Sequence, residues 1–205
     1  MKKSYSQFTA DDIQELGLRM VRSVLFGEIK SIQASDWLLR TLEINREIPS
    51  NSEKAKSELF IAPVLTDITL RNRDKMTYFS GYRFNVDSKR GLKGFCDFII
   101  SKKHDAAFIE SPLAAVVEAK YHQDLADVVP QCAAEMFAAQ LFNERKGDLL
   151  PFIYGAVTNG YEWLFLRLKE QTFDQVQKMG ESALLLLFPK MGRDAYDEGR
   201  HHRRE

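Results

Sequence analysis

The sequence predicts an α/β fold, a mixed central sheet flanked by helices, and three observations lead to it. Apolar residues recur at helical spacing as far as Leu65, and from Tyr82 the period changes to the alternation of strands. A long helical segment with a face of Ala133, Ala134, Ala138 and Ala139 lies between two apolar strand segments, and side chains that small permit close packing on a sheet. The strand before that helix ends abruptly in charge, at Glu118 and Lys120, and in open α/β sheets ligands bind at the C-terminal ends of strands. At 205 residues the chain can bury one substantial core, which predicts one domain with an added helical element.

Taken in order, Thr9 can cap a helix, with Asp12 as its capping-box partner and Phe8 and Ile13 as a hydrophobic staple, and this helix is predicted to reach Phe26. A second helix starts near Ser35, buries Trp37, Leu38, Leu42 and Ile44, and ends before Pro49. A third opens at Asn51, offers Ala55, Leu59, Ala62, Val64 and Leu65 as an apolar side, carries Glu58, and is interrupted or kinked by Pro63. Strands are expected over 82–86, over 95–101 after a turn through Gly91, and over 114–120 after a polar loop. The long helix covers 127–145. Residues 151–157 read as a buried strand, Thr158, Asn159 and Gly160 as a hairpin turn, and 163–168 as the returning strand. A last helix is expected over 173–188, stopped by Pro189, and a polar tail after Gly192.

Hydrophobic content of 44% with 28% charged residues is that of a soluble globular protein. With 29 basic and 29 acidic residues the formal net charge is zero, so no global field draws the chain onto a polyanion. Local basic groups remain at Lys89, Arg90 and Lys93, at Lys102 and Lys103, and at Arg200, Arg203 and Arg204. Cys96 and Cys132 stand in apolar settings and read as buried thiols, and the cysteine and histidine spacings that close a zinc site are absent. No apolar run approaches the ~20 residues of a membrane span and the opening residues lack the apolar core of a signal peptide, which predicts a cytoplasmic protein.

Asp97 and Glu118 each lie inside an otherwise apolar strand, where an ionised group loses hydration and is retained most easily beside a compensating charge. Alternate strand residues share a face, so Val116, Glu118 and Lys120 point one way and Ala115, Val117 and Ala119 the other. Any one of the three charged residues can be the solvated face of an edge strand. Together they mark a site.

With Glu58 on the preceding helix, Asp97 on one strand and the triplet Glu118, Ala119, Lys120 on the next, the chain resembles the PD-(D/E)XK nuclease superfamily across residues 53–168. The resemblance implies a restriction-endonuclease-like core, expected over 51–192; the N-terminal helices fall outside the resemblance and are expected as an extension over 1–50 packed on the core, and the polar composition of 193–205 predicts a disordered tail. Cys96 stands where the family's proline would be, a position many members leave without proline. Gln131 is similar to the glutamine of members related to recombination and phage exonucleases, whose tyrosine four residues later is Glu135 here.

The implied activity is metal-dependent phosphodiester hydrolysis, with DNA as the substrate. Asp97, Glu118, the Ala119 carbonyl and Glu58 would supply hard oxygens to Mg²⁺ or Mn²⁺. Lys120 would orient water or meet developing charge, and Gln131 would position water or a phosphate oxygen. Lys89, Arg90 and Lys93 are the candidate nucleic-acid contacts. His122 could touch substrate, although Tyr121 and His122 also read simply as the start of a loop, and Gln131 also reads as a solubilising residue early in its helix. Tyr154, Tyr161, Trp163 and Phe165 fall in apolar runs and read as packing, not as a base-stacking platform. A homodimer or a subunit of a larger assembly is the expected state. The rival expectation is a noncatalytic nucleic-acid-binding or scaffold protein on the same fold; zero net charge favours it, and the set Asp97, Glu118 and Lys120 favours the enzyme.

Overall fold

The computed structural model describes residues 3–22, 33–121, 124–175 and 179–180. The strands are β1 (Arg19–Arg22), β2 (Thr77–Arg83), β3 (Phe95–Ser101), β4 (Leu113–Ala119), β5 (Ile153–Thr158), β6 (Glu162–Lys169), β7 (Thr172–Gln175) and β8 (Met179–Gly180). The helices are α1 (Ala10–Glu15), α2 (Asp36–Asn45), α3 (Glu53–Lys56), α4 (Ala62–Arg71) and α5 (Val129–Lys146). One mixed sheet runs β1-β7-β6-β5-β4-β3-β2, with β8 beside β6. The pairs β4–β5 and β1–β7 are parallel and the others antiparallel. The chain is therefore α/β with a mixed sheet between helices, as expected, and none of its described helices is long and apolar enough to cross a membrane.

Each sheet face buries its own core. On one side Ile99, Val116 and Val157 meet Cys132, Met136 and Ala133 of α5, together with Tyr5, Phe8 and Ile13. On the other, Phe98, Val117, Trp163 and Phe165 meet Leu38 of α2 and Ile61, Leu65 and Ile68 around α4. Helix α5 lies close because its contact face is small: Ala133, Ala134, Ala138 and Ala139 are all fully buried. The sheet reciprocates with Gly155, where a Cβ would stand 2.9 Å from Cys132 Sγ and would also strike Met136.

Two amides complete backbone pairing that regular elements leave open. Asn143 of α5 is buried, accepts from the Leu113 N–H (2.7 Å) and donates to the Leu113 carbonyl (2.8 Å), tying the start of β4 to the helix. Pro63 has no N–H to offer the Leu59 carbonyl, and the Asn45 side chain donates to it instead at 2.6 Å. The expected interruption at Pro63 is a π-helical turn over Ser57–Ile61 that joins α3 to α4.

Thr9 caps α1, and Asp12 Oδ2 accepts the Thr9 N–H at 2.7 Å. This helix ends at Glu15, not Phe26, because Gly17 takes a left-handed conformation (φ +82°) and the chain turns into β1. The N-terminal region thus supplies a strand as well as helices. On α2 the buried side is Leu38 with Leu42 packed behind it; Trp37 and Ile44 are about half exposed, rotated off that face by the helical repeat. Strand β2 begins at Thr77, ahead of the expected 82. Residues 172–175 form β7 and not the start of a helix; the turn before it uses Glu170 at φ +54° and Gln171, without the Asn-Gly or Asp-Gly signal of a tight hairpin. Met179–Gly180, within the same expected helix, form β8 against β6 instead. Residues 176–178, the rest of the expected last helix from 181 and the tail over 193–205 lie outside the described residues.

Gly155→Ala should destabilise the protein by about 1–3 kcal/mol, because the added methyl must push α5 off the sheet. The denaturation midpoint measures it, and an unchanged midpoint would mean that α5 is free to shift.

Candidate active site

Strands β3 and β4 run antiparallel with Phe98 opposite Val117 as the last pair of the ladder, so Asp97 and Glu118 are the next residues outward on the two strands. Asp97 sits at an irregularity. Cys96 and Ile99 both belong to the α5-side core whereas Phe98 and Ile100 belong to the other, so the alternation of β3 slips at Asp97. Opposite it on β2 stands Gly81, at φ +61°, a conformation that glycine takes without penalty. The Ala119 N–H donates to Asp97 Oδ2 at 2.8 Å, which anchors this carboxylate to the end of β4. On the opposite edge of β4, the Lys120 N–H continues the pairing to the Thr158 carbonyl at 2.8 Å.

Glu118 is only 2% exposed. Its Oε1 accepts from Lys120 Nζ at 2.7 Å and from Gln131 Nε2, while its Oε2 is buried with no hydrogen-bond partner among the described residues. Gln131 stands in the first turns of α5 because the chain passes from β4 through a 3₁₀ turn (Leu125–Val128) into that helix, bringing its N-terminal end beside the C-terminal end of β4. One turn further, Glu135 is fully buried; its Oε1 receives Gln131 Nε2 at 3.2 Å and its Oε2 is likewise buried without a partner among the described residues.

These surroundings set the charge states. Burial, then the neighbouring Asp97, push Glu118 up to about 8, with Lys120 pulling the other way. Burial and then Glu118 push Glu135 well above the ordinary carboxyl range. Burial works against the Lys120 ammonium, but its contact with Glu118 outweighs this and leaves its pKa raised. Without a further cation, the site therefore favours holding a proton between Glu118 and Glu135.

The residues expected from the sequence divide into those that meet and those that do not. Asp97, Glu118, Ala119, Lys120 and Gln131 form one cluster. Glu58 does not join it: this carboxylate is exposed and pairs with Lys54 at 2.6 Å. The helix acid beside Lys120 is Glu53, with Oε2 3.7 Å from Nζ. Five positions separate Glu53 from Glu58, about 140° around a helix, so only one can face the strand end. Glu53 follows the capping Ser52, a placement that reads from sequence as first-turn charge and conceals this contact.

Lys89 and Arg90 are exposed and Lys93 half buried on the segment between β2 and β3, which folds back along α5: Phe84 packs on Phe142 and the Val86 carbonyl accepts from Arg145, toward the helix end away from Gln131, so these basic groups are not brought to the carboxylate cluster. The Arg90 guanidinium stacks 4.9 Å from the centroid of Phe137 on α5. His122 lies outside the described residues. Tyr154, Trp163 and Phe165 are buried as expected, but Tyr161 is 42% exposed, because the hairpin tip carries it clear of the sheet. Both cysteines are buried free thiols. Comparison of the sequence with protein-family models finds no match, and no curated protein is significantly similar to it.

The raised carboxyls predict a pH dependence. A folded state that binds protons more tightly than the unfolded chain is stabilised below the ordinary carboxyl value near 4.5, and loses that stabilisation as pH rises toward about 8. In EDTA the melting temperature should therefore fall between pH 5 and 8, the slope corresponding to about 1.4 kcal/mol per pH unit for each extra proton held. Glu135→Gln should flatten the fall. A level wild-type profile would show that both carboxyls ionise freely.

Proposed function

We propose that this chain is a metal-dependent nuclease on a restriction-endonuclease-like core, hydrolysing phosphodiester bonds of DNA with Mg²⁺ or Mn²⁺ as cofactor. One observation carries the reading: the buried Glu118 carboxylate, beside Asp97 at the end of β4, has one oxygen held by Lys120 and Gln131 and the other without a partner among the described residues. An anionic oxygen is costly to bury unpaired, and a divalent cation shared with Asp97 would remove that cost. Asp97, Glu118 and the Ala119 carbonyl are the hard oxygens that would hold it. Among the described residues no three Asp, Glu, His or Cys side chains form a group that could hold an ion alone. A Mg²⁺ site does not require one, since this ion keeps several waters and takes one or two carboxylates plus substrate phosphate. When bound, the ion would polarise the phosphoryl oxygen and lower the pKa of a water.

The chain's own groups supply the rest. Lys120, tethered by Glu118 and Glu53, presents an ammonium that orients the attacking water or meets charge developing on the phosphate. Gln131 holds the Glu118 carboxylate in one orientation, and Glu135 steadies Gln131 from behind. Lys89, Arg90 and Lys93 lie along α5 apart from the cluster, where they would offer sequence-independent contacts to phosphates remote from the scissile one. Two buried free thiols suit a reducing cytoplasm, and a homodimer or a larger assembly would extend the contact surface of so small a chain. A noncatalytic binding or scaffold protein is the second reading, favoured by the zero formal net charge of the chain.

With Mn²⁺ and labelled single- and double-stranded DNA, wild type should cleave, and Lys120→Ala should lower the rate by about 10²–10³-fold while retaining binding. Glu53→Gln should slow cleavage and Glu58→Gln should not. Mg²⁺ at a hundred times its Kd should stabilise wild type by about 2.7 kcal/mol, and Asp97→Asn should lose most of that shift. Binding by every protein with cleavage by none would leave the scaffold reading standing; cleavage by Lys120→Ala at the wild-type rate would remove Lys120 from the mechanism.

A further inference from the structure

A second constellation stands beside the candidate active site and plays no part in the metal and water chemistry of Asp97, Glu118 and Lys120. Lys56 closes α3, three residues after Glu53, and so lies on the same side of the helix one turn along. Its Nζ is 4.8 Å from the Tyr121 ring centroid and 5.1 Å from that of Tyr161, and lies 3.4 Å from the Tyr121 carbonyl oxygen. Tyr121 directly follows Lys120. Tyr161 sits at the tip of the β5–β6 hairpin, backed by Phe60 at a centroid distance of 5.2 Å, and Phe60 in turn packs against Gly160. Three separate segments thus bring one ammonium and two tyrosine rings to the strand end that carries Lys120.

We infer that Lys56, Tyr121 and Tyr161 form a subsite for an unpaired nucleotide adjoining the scissile phosphate, so that the substrate is single-stranded nucleic acid. The inference rests on the nuclease reading and deepens it. Tyr161 keeps 42% of its surface exposed with Phe60 5.2 Å and the Lys56 ammonium 5.1 Å from its ring centroid, so a base reaching it meets a braced ring beside a cation. Among the described residues no carboxylate lies within ion-pair distance of Lys56, unlike Lys54 and Lys120 nearby. Burial lowers the Lys56 pKa, and a phosphate would offset that penalty. The tyrosine rings fix the ammonium by cation–π attraction without neutralising its charge. A duplex hides base faces in its own stack, whereas an unpaired base offers one to Tyr161. The arrangement therefore selects for strandedness and is indifferent to base identity.

The test uses the full chain in EDTA, which separates binding from cleavage, with a fluorescein-labelled oligothymidylate of about 20 nucleotides, long enough to span a single-strand site, and a mixed-sequence duplex of the same length. Anisotropy should show tighter binding of the single strand. Tyr161→Ala should weaken it by about 5- to 150-fold, the loss of one stacked base, while Tyr161→Phe keeps the wild-type affinity. Lys56→Gln, at a half-buried surface position, should reduce the slope of log K against log salt by about 0.7, the signature of one lost phosphate contact on a single strand. Equal affinity for the duplex, or unchanged single-strand binding in both Tyr161→Ala and Lys56→Gln, overturns the subsite. Should Tyr161→Ala fail to fold, an unchanged salt slope in Lys56→Gln overturns it alone. Cleavage of the same DNAs in Mn²⁺ is scored separately: absence of cleavage with these binding differences intact rejects the nuclease reading and leaves the subsite, and cleavage with no such differences does the reverse.

Discussion

Glu118 is an ionisable side chain placed in the layer between β4 and α5, and the candidate site is arranged around the cost of keeping it there. Removing a carboxylate from water is expensive unless hydrogen bonds and charge replace the lost hydration. Lys120 and Gln131 satisfy one oxygen and Asp97 faces the pair from the neighbouring strand. Glu135, buried one helical turn beyond Gln131, extends the same polar layer into the apolar core. Charge of this density persists in a core when a proton or a cation completes it. The same residues thereby link the stability of the layer to its occupancy.

Position is set by topology. The β4–α5–β5 unit is a parallel pair joined by a helix, so the carboxyl end of β4 and the first turns of α5 arrive at one edge of the sheet. Close approach of α5 depends on its alanine face and on Gly155 beneath it, and the Asn143 amide tethers the far end of β4 to the same helix. Displacing α5 would separate Gln131 from Glu118. Packing and site geometry are therefore one constraint acting at two ends of a helix.

On the opposite side of the strand end, the π-helical turn between α3 and α4 governs which side chains reach the site. An extra residue in a turn rotates every later side chain about the helix axis, and just after the irregularity Pro63 leaves the Leu59 carbonyl to Asn45. Glu53 and Lys56, before the turn, face Lys120 and the two tyrosines; Glu58, within it, faces solvent beside Lys54. Lys120 is thus held from two elements, β4 itself and α3, which limits its freedom and suits a group that must meet charge at one point.

By itself the sequence determined the order of most elements and the strand placement of Asp97, Glu118 and Lys120, because periods of two and 3.6 residues are local properties of a chain. It also located Gln131 near the start of the long helix after β4. Strands β1 and β7 escaped it, since a four-residue strand carries too little alternation and the turn at Glu170 lacks the usual residues. The choice of Glu53 over Glu58 escaped it too, because helical spacing says that only one of the two can face the strand end and not which one. Only the tertiary structure decided that Glu135 is buried behind Gln131 and that Tyr161 stands exposed beside Lys56. Those facts depend on how a helix and a hairpin meet a strand distant in sequence, and local patterns carry no record of such meetings.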